Sequence, residues 1–256
     1  MSRLECPTPN PEEVSYSREA TIVASTDYYT FLTRLYMNES QIIHPHAEGW
    51  SIVNADPGKL QDLGKSDEVL SMLAHLPYIR CPGNWHHDAD AIPGSSSADW
   101  PDLITLRVQG WIIGEELPGC TEAFIALDTE LGITHWEKYT CPEDIGENWM
   151  QVDWEELKKD VSKEDANWRY SAAAWAIPDF FEVLKDEFRS LNRVPISPYT
   201  VHSSKEELHN EVGMMSMLKD IYRRHGWPDL AAYRKSKCTE AIRKAMVERY
   251  PESACS

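Results

Sequence analysis

The order in which hydrophobic periodicities follow one another narrows the fold class of this chain more than any other feature. Apolar residues recur at helical spacing before and after the middle of the chain, whereas the middle alternates as strands do. Helices and strands therefore occupy separate stretches rather than alternating one by one, and this predicts an α+β fold. We expect a central antiparallel sheet with flanking helices and a C-terminal helical pair.

Two short helices and one strand are expected in the first third of the chain. Asp27 is a predicted N-cap for a helix that runs to Met37. A second helix is predicted to begin after Ser66, and Pro77 is expected to stop it. The alternation over residues 49–54 favours a strand.

A hairpin is predicted in the middle of the chain. Residues 122–128 and 133–139 alternate between apolar and polar side chains. The short connection between them ends in Gly132, a residue that adopts positive φ without steric cost. From Val152 onward the chain is expected to be helical, with Pro178 at a helix start and one apolar face formed by Phe181, Leu184, Phe188 and Leu191.

The last fifty residues are expected to form the helical pair. Ser204 and Glu207 match a capping box that would open the first of these helices, and Gly226 would close it. The second helix is predicted over about residues 229–250, with an apolar side formed by Leu230, Cys238, Ala241, Ile242 and Ala245. The predicted domain division is a flexible N-terminus at 1–13, an α+β domain at 14–200, and a helical unit at 201–256 packed on that domain.

The chain is expected to be soluble and cytoplasmic or nuclear. No apolar run approaches the roughly 18 residues that a membrane span needs, so no membrane partner is expected. The proline-interrupted N-terminus has no apolar segment typical of a signal peptide. The six cysteines contain no close pair and are expected to be reduced thiols.

Charge is unevenly distributed along the chain. The formal net charge is −17, which disfavours general binding to nucleic acid because phosphates would be repelled. Residues 115–165 contain 15 acidic and 4 basic residues, whereas residues 219–250 contain 9 basic and 4 acidic residues. The basic stretch could fold back onto the acidic body, meet an acidic partner, or simply be solvated.

Two histidine and aspartate clusters are candidates for a metal or catalytic site. Residues separated by two positions on an extended backbone point to the same side, as metal ligands must. The candidate metal ligands are His44, His46, His86 and Asp88. The candidate catalytic residues are His86, His87, Asp88 and Asp90. If the clusters met, they could hold zinc, iron or manganese, although the cofactor itself is unknown. Polar histidines in a loop are the alternative.

Ten tryptophans are present, and several of them lie outside periodic segments. Indoles in loops either fill the edge of a core or line a binding surface. Trp85 and Trp100 flank the irregular segment that contains the second histidine cluster, and they are the candidate binding residues.

Two resemblances to known families are visible. The segments 68–79, 124–132 and 221–251 resemble an uncharacterised protein family of filamentous fungi, a resemblance that implies origin and a shared fold but no activity. The run Glu115-Glu-Leu-Pro118 and the aromatic helix at 180–191 are similar to features of the SUKH superfamily of α+β proteins. Members of that superfamily act through protein contacts, as immunity proteins or regulatory adaptors.

Two functions from different classes follow. The first is a protein-interaction or regulatory protein that uses an acidic, tryptophan-rich surface, with Trp85 and Trp100 as anchors and an unknown protein partner. The second is a small enzyme of a fungal specialised-metabolite pathway that uses the histidine and aspartate residues at 86–90 on a small molecule.

Overall fold

The computed structural model describes residues 14–50, 67–79, 125–128, 132–136, 173–198, 200–204 and 212–253. These residues contain five α-helices and three small antiparallel sheets. The predicted α+β class is therefore confirmed. None of the described helices is long and apolar enough to cross a bilayer.

The helices and strands have the following bounds. The helices are α1 (Arg18–Leu35), α2 (Asp67–His75), α3 (Ile177–Arg189), α4 (Met214–Arg224) and α5 (Lys235–Arg249). The strands are β1 (Ile42–Ile43), β2 (Tyr78–Ile79), β3 (Ile125–Asp128), β4 (Ile133–Trp136), β5 (Ala173–Ala176), β6 (Arg193–Pro195) and β7 (Val201–Ser203). The sheets have the strand orders β1–β2, β3–β4–β5 and β6–β7, all antiparallel.

The described residues group into two compact units. The first contains residues 14–25, 44–50, 67–76, 125–128, 132–136 and 173–181. The second contains residues 26–43, 77–79, 182–198, 200–204 and 212–253. Helices α1 and α3 contribute residues to both units. The predicted division near residue 200 stays a prediction, and the predicted flexible N-terminus lies outside the described residues.

The three-stranded sheet belongs to the first unit. The β3–β4 hairpin is confirmed, with Asp128 opposite Ile133 and Gly132 at φ +72°. A Cβ on Gly132 would lie 2.6 Å from the backbone of Ser15, so a side chain is excluded there. The prediction of helix from Val152 onward is wrong at residues 173–176, which form β5. Pairing with β4 and burial of the Trp175 indole outweigh the helical preference of the alanines around it.

The ends of α1 and α2 show which local signals decide helix boundaries. Helix α2 begins at Asp67 as predicted and ends at His75, one residue before the predicted Leu76. Helix α1 begins nine residues before the predicted start, because the Ser17 hydroxyl accepts a hydrogen bond from the Ala20 amide at 3.2 Å and caps it. Asp27 consequently lies inside the helix rather than at its cap. Gly49 and Trp50 are not in a strand, and residues 51–54 lie outside the described residues.

An aromatic cluster forms the core of the second unit. Its rings pack with centroids 5.2 to 6.4 Å apart and come from Phe31, Tyr36, Phe188, Tyr222, Trp227 and Tyr233. The polar atoms of these rings bond to backbone carbonyls: the Trp227 indole to Phe188 at 3.0 Å and the Tyr222 hydroxyl to Pro195 at 2.9 Å. Burial of the rings therefore leaves no polar penalty at these two groups.

The helical pair is shorter than predicted. Helix α4 begins at Met214, after Gly213 at φ +81°, whereas Ser204 lies in a turn that follows β7 and Glu207 is outside the described residues. Its predicted end is confirmed by Gly226 at φ +101°. Residues 229–234 form turns rather than the start of α5, because the Asp229 carboxylate accepts a hydrogen bond from the Ala231 amide at 2.9 Å. Leu230, predicted to be buried, is exposed.

Candidate interaction surface

Basic side chains cluster in sequence on the α4–α5 segment, which we call the basic helical pair. Each helix buries one apolar stripe in the second unit; for α5 this stripe is Cys238, Ile242 and Met246. The remaining positions face solvent, and many of them are cationic. The exposed cations of the basic helical pair are Arg223, Arg224, Arg234, Lys237, Arg243, Lys244 and Arg249.

Few of these cations have an acidic partner. Arg223 lies 3.5 Å from Asp220, and Arg243 lies 2.7 Å from Glu240. Both pairs are largely exposed and are screened by water and salt. Within the described part of the chain, the other five exposed cations form no ion pair. The basic helical pair therefore keeps most of its positive charge uncompensated.

Two arginines have a structural role at the end of α4. The Arg234 guanidinium donates to the Arg224 carbonyl at 3.1 Å, and Arg224 Nε donates to the Asp220 carbonyl at 3.1 Å. These carbonyls belong to the last turn of α4, where positive charge offsets the negative end of the helix dipole. Lys237 and Lys244 have no comparable role, because they lie on α5 and face solvent.

The pKa values of two lysines in the segment are lowered, and charges of opposite sign act on them. Burial and the nearby Arg223 guanidinium lower the pKa of Lys219. Burial also lowers the pKa of Lys235, although the Glu39 carboxylate acts in the opposite direction. A lysine whose charged form is disfavoured by a neighbouring cation indicates that positive charges repel one another here.

An exposed apolar side chain lies among these charges. Val247 is 56% exposed on α5. Arg243 and Lys244 precede it by four and three residues, which places them beside it on the same helical face. An apolar contact with a basic rim is the arrangement found at protein-interaction sites.

Of the residues predicted from sequence as a metal or catalytic site, the structure describes His44 and His46. His44 and His46 are exposed, and no group of three potential metal ligands occurs among the described residues. The remaining predicted site residues lie outside the described ranges: Trp85, His86, His87, Asp88, Asp90 and Trp100. Their catalytic, metal-binding and anchoring roles stay predictions.

The surplus of positive charge on the basic helical pair could be detected in the sequence, but the exposure of Val247 could not. Val247 belongs to a helix whose apolar residues follow no wide stripe, so spacing alone does not show that it faces solvent. The predicted apolar side of this helix did not include Val247. It included Leu230, which is exposed.

Comparisons of the chain with protein families, curated proteins and solved structures found no match. The resemblances to a fungal family and to the SUKH superfamily therefore stay predictions. What the chain does must be inferred from the chemistry of its own residues.

Proposed function

We propose that this protein is a non-enzymatic interaction protein whose basic helical pair binds an acidic segment of a partner protein. The observation that carries the proposal is the set of exposed cations on α4 and α5, most of them without an ion pair among the described residues. Surface charge of one sign attracts a partner of the other sign and accelerates association.

The negative charge of the rest of the chain limits which anionic partners the basic helical pair can bind. Residues 219–250 contribute five positive charges net, so the rest of a chain with net charge −17 carries 22 negative charges net. A long polyanion such as nucleic acid would extend beyond the basic helical pair and meet that negative field. A short acidic protein segment would not, which is why we assign a protein partner.

Val247 supports a partner segment that is amphipathic as well as acidic. Its exposed side chain offers an apolar contact, and Lys244, which forms no ion pair among the described residues, offers a charge beside it. Because the pairs would be exposed, we expect moderate affinity that falls as salt is added.

The SUKH resemblance supports a protein partner, since members of that superfamily act through protein contacts. The acidic, tryptophan-rich interaction surface predicted from sequence, with Trp85 and Trp100 as anchors, involves residues outside the described ranges and stays a separate prediction. The chain's own acidic stretch at 115–165 is the competing occupant of the basic helical pair, and the experiment below separates the two.

The test uses the full chain and a fluorescein-labelled peptide with glutamates on one helical face and leucines on the other. The double variant Lys237→Gln/Lys244→Gln removes two exposed charges of α5. Arg34→Glu is the matched control, because it changes the net charge equally at an exposed position of α1. Fluorescence anisotropy gives the Kd of each protein at two salt concentrations.

We expect the double variant to bind the peptide about five- to ten-fold more weakly than the parent, in line with losing two exposed charge pairs. Arg34→Glu should change the Kd less than two-fold, roughly the effect of net charge alone at moderate salt. Equal weakening by both variants would contradict a specific site. Absence of binding by the full chain, together with lower stability of the double variant, would assign the basic helical pair to the chain's own acidic stretch instead.

A further inference from the structure

A cavity of about 500 Å³ opens beside the first two turns of α5 in the second unit. Its other walls are Tyr36 and Asn38, which follow α1, the β6–β7 hairpin, and Tyr222 of α4. Its volume falls within the roughly 300–1,000 Å³ that is typical of small-molecule sites. Two of its lining residues, Tyr36 and Tyr222, belong to the aromatic cluster.

The inner part of the cavity is apolar and aromatic. Tyr36, Tyr222 and Ile242 line it and are buried. The Tyr222 hydroxyl donates a hydrogen bond to the Pro195 carbonyl, so this residue adds no free polar atom to the lining. Such a surface favours an apolar ring or a short hydrocarbon chain.

One cation is half-buried in the cavity wall. The Lys235 ammonium donates to the carbonyls of Thr33 at 2.7 Å and Met37 at 2.5 Å. An ammonium has three donors, so one N–H remains for a ligand. Within the described part of the chain, Lys235 forms no ion pair, and its charge is therefore not neutralised by a bonded carboxylate.

The other charged groups at the cavity neutralise each other. Arg243 donates to both carboxylate oxygens of Glu240, at 2.7 and 3.0 Å. This bidentate pair leaves Lys235 as the unpaired charge among the residues that line the cavity; the Glu39 carboxylate acts on Lys235 but does not line the cavity. Ser236 and Thr239 add hydroxyl groups to the same wall.

The start of α5 strengthens the preference for an anion. Its N-cap residue, Arg234, makes no side-chain capping hydrogen bond, and the first turn contains no acidic residue. Neither the N-cap side chain nor the first turn of α5 therefore compensates the positive end of the helix dipole at the wall of the cavity. Dipole, ammonium and hydroxyl groups all favour negative charge at this wall.

We infer that this cavity binds a small monocarboxylate that carries an apolar ring or chain. The carboxylate would accept hydrogen bonds from Lys235 and from the Ser236 or Thr239 hydroxyl, and the apolar part would lie against Tyr36 and Tyr222. A single available ammonium matches a single negative charge. A phosphate group, with nearly two charges, would exceed the single charge that Lys235 offers.

This inference is independent of the proposed partner binding. The cavity is lined by Lys235, Ser236 and Thr239, whereas the partner-binding variants change Lys237 and Lys244, which do not line it. Either site can be lost without the other.

The test is an NMR titration of the full, ¹⁵N-labelled chain with 3-phenylpropionate. The neutral probe 3-phenyl-1-propanol has a similar shape and lacks the charge. We expect the amide signals of Ser236 and Thr239 to shift with the carboxylate, and its Kd to be at least ten-fold lower than that of the alcohol, as a charge-assisted hydrogen bond provides.

Two variants with equal changes in net charge locate the site. Ser236→Glu places a carboxylate at the cavity wall, where it should repel the ligand and raise its Kd by ten-fold or more. The same change adds an acid to the first turn of α5, so the helix should become more stable and the loss of binding cannot be attributed to unfolding. Lys237→Gln, one residue further along, should leave the Kd within two-fold.

Three results would overturn the inference. Equal affinity for the acid and the alcohol would show that the charge is not recognised. Shifts absent from Ser236 and Thr239 at saturating probe would place binding elsewhere. Equal effects of Ser236→Glu and Lys237→Gln would show a response to net charge rather than to a site.

Discussion

Two lysine side chains of the second unit are at least partly buried, and their ammonium groups contact different kinds of group. The side chain of Lys185, on α3, is 5% exposed, and its ammonium contacts the carboxylates of Asp27 and Glu182. Lys235, on α5, donates instead to the backbone carbonyls of Thr33 and Met37. Lys185 is thus held by ion pairs with carboxylates, whereas Lys235 is held by hydrogen bonds to the dipoles of carbonyl groups.

This difference decides which charge is available for function. Burial acts to lower the pKa of Lys185, but the hydrogen bonds to Asp27 and Glu182 outweigh it and leave that pKa raised. For Lys235 burial prevails, and the pKa is lowered. The charge of Lys185 is thus neutralised by carboxylates of the fold, whereas the charge of Lys235 is available to a ligand. Four experiments test this difference between the two lysines.

Removing both carboxylates from Lys185 should have the largest effect. The double variant Asp27→Asn/Glu182→Gln leaves a nearly buried ammonium without an anion. We expect the free energy of unfolding to fall by about 3 kcal/mol, because an uncompensated buried charge is more costly than a lost pair. Urea denaturation followed by circular dichroism measures this change.

The control is the triple variant that adds Lys185→Met. Without any charge at the site, the free energy of unfolding should return to within about 1 kcal/mol of the parent value. If the double variant loses under about 0.5 kcal/mol, the Lys185 ammonium reaches water and the contrast with Lys235 fails.

Lys235→Met tests the lysine held by dipoles. The change keeps most of the apolar stem but leaves the Thr33 and Met37 carbonyls, at the end of α1, without their donor. We expect a loss of about 2 kcal/mol, since each partly buried carbonyl loses a charge-assisted hydrogen bond. Lys237→Met, at an exposed position on the same helix, should stay within about 0.5 kcal/mol of the parent. Equal losses in the two variants would show that the carbonyl contacts contribute nothing.

Thr134, in the first unit, is a third buried polar group and contrasts with both lysines. Its hydroxyl is buried and has no hydrogen-bond partner among the described residues. Thr134→Val replaces the hydroxyl by a methyl group of similar size, and we expect a gain of about 1 kcal/mol in the free energy of unfolding. Thr134→Ser keeps the hydroxyl and loses the methyl group, and it should destabilise by about 1 kcal/mol. Loss of stability in Thr134→Val would show that the hydroxyl has a partner.

Local signals predicted those parts of the fold that depend on neighbours in sequence. The β3–β4 hairpin needed Gly132 and alternating strands, and α2 needed an apolar stripe and Pro77. Asp27 shows the limit. It has the side chain of an N-cap, but it pairs with Lys185, 158 residues away, and Ser17 caps the helix instead. Nothing near Asp27 in the sequence encodes that choice.

Long-range pairing also explains what sequence could not show at the candidate sites. Residues 173–176 are a strand because β4 lies beside them. The positive charge of residues 219–250 could be counted directly. The cavity could not be predicted, because the residues after α1, the β6–β7 hairpin and α5 come from three distant parts of the chain.

The smallest expected effect is a difference in pH dependence between the two lysines. The raised pKa of Lys185 means that its stabilising contribution is fully present below the unfolded value of about 10.4 and is lost as pH rises through the folded pKa. The lowered pKa of Lys235 has the opposite sign. Between its folded pKa and about 10.4, the unfolded state binds more protons, so stability rises with pH.

Subtracting the unfolding free energies of Lys185→Met and Lys235→Met from that of the parent, at several pH values between about 7 and 11, isolates each contribution. The Lys185 difference should fall at the top of this range, whereas the Lys235 difference should rise. The rise does not require the carbonyl contacts to break, because a neutral amine keeps two N–H donors for Thr33 and Met37. Slopes of the same sign would mean that Lys235 has an anionic partner, and its charge would then not be available to a carboxylate in the cavity.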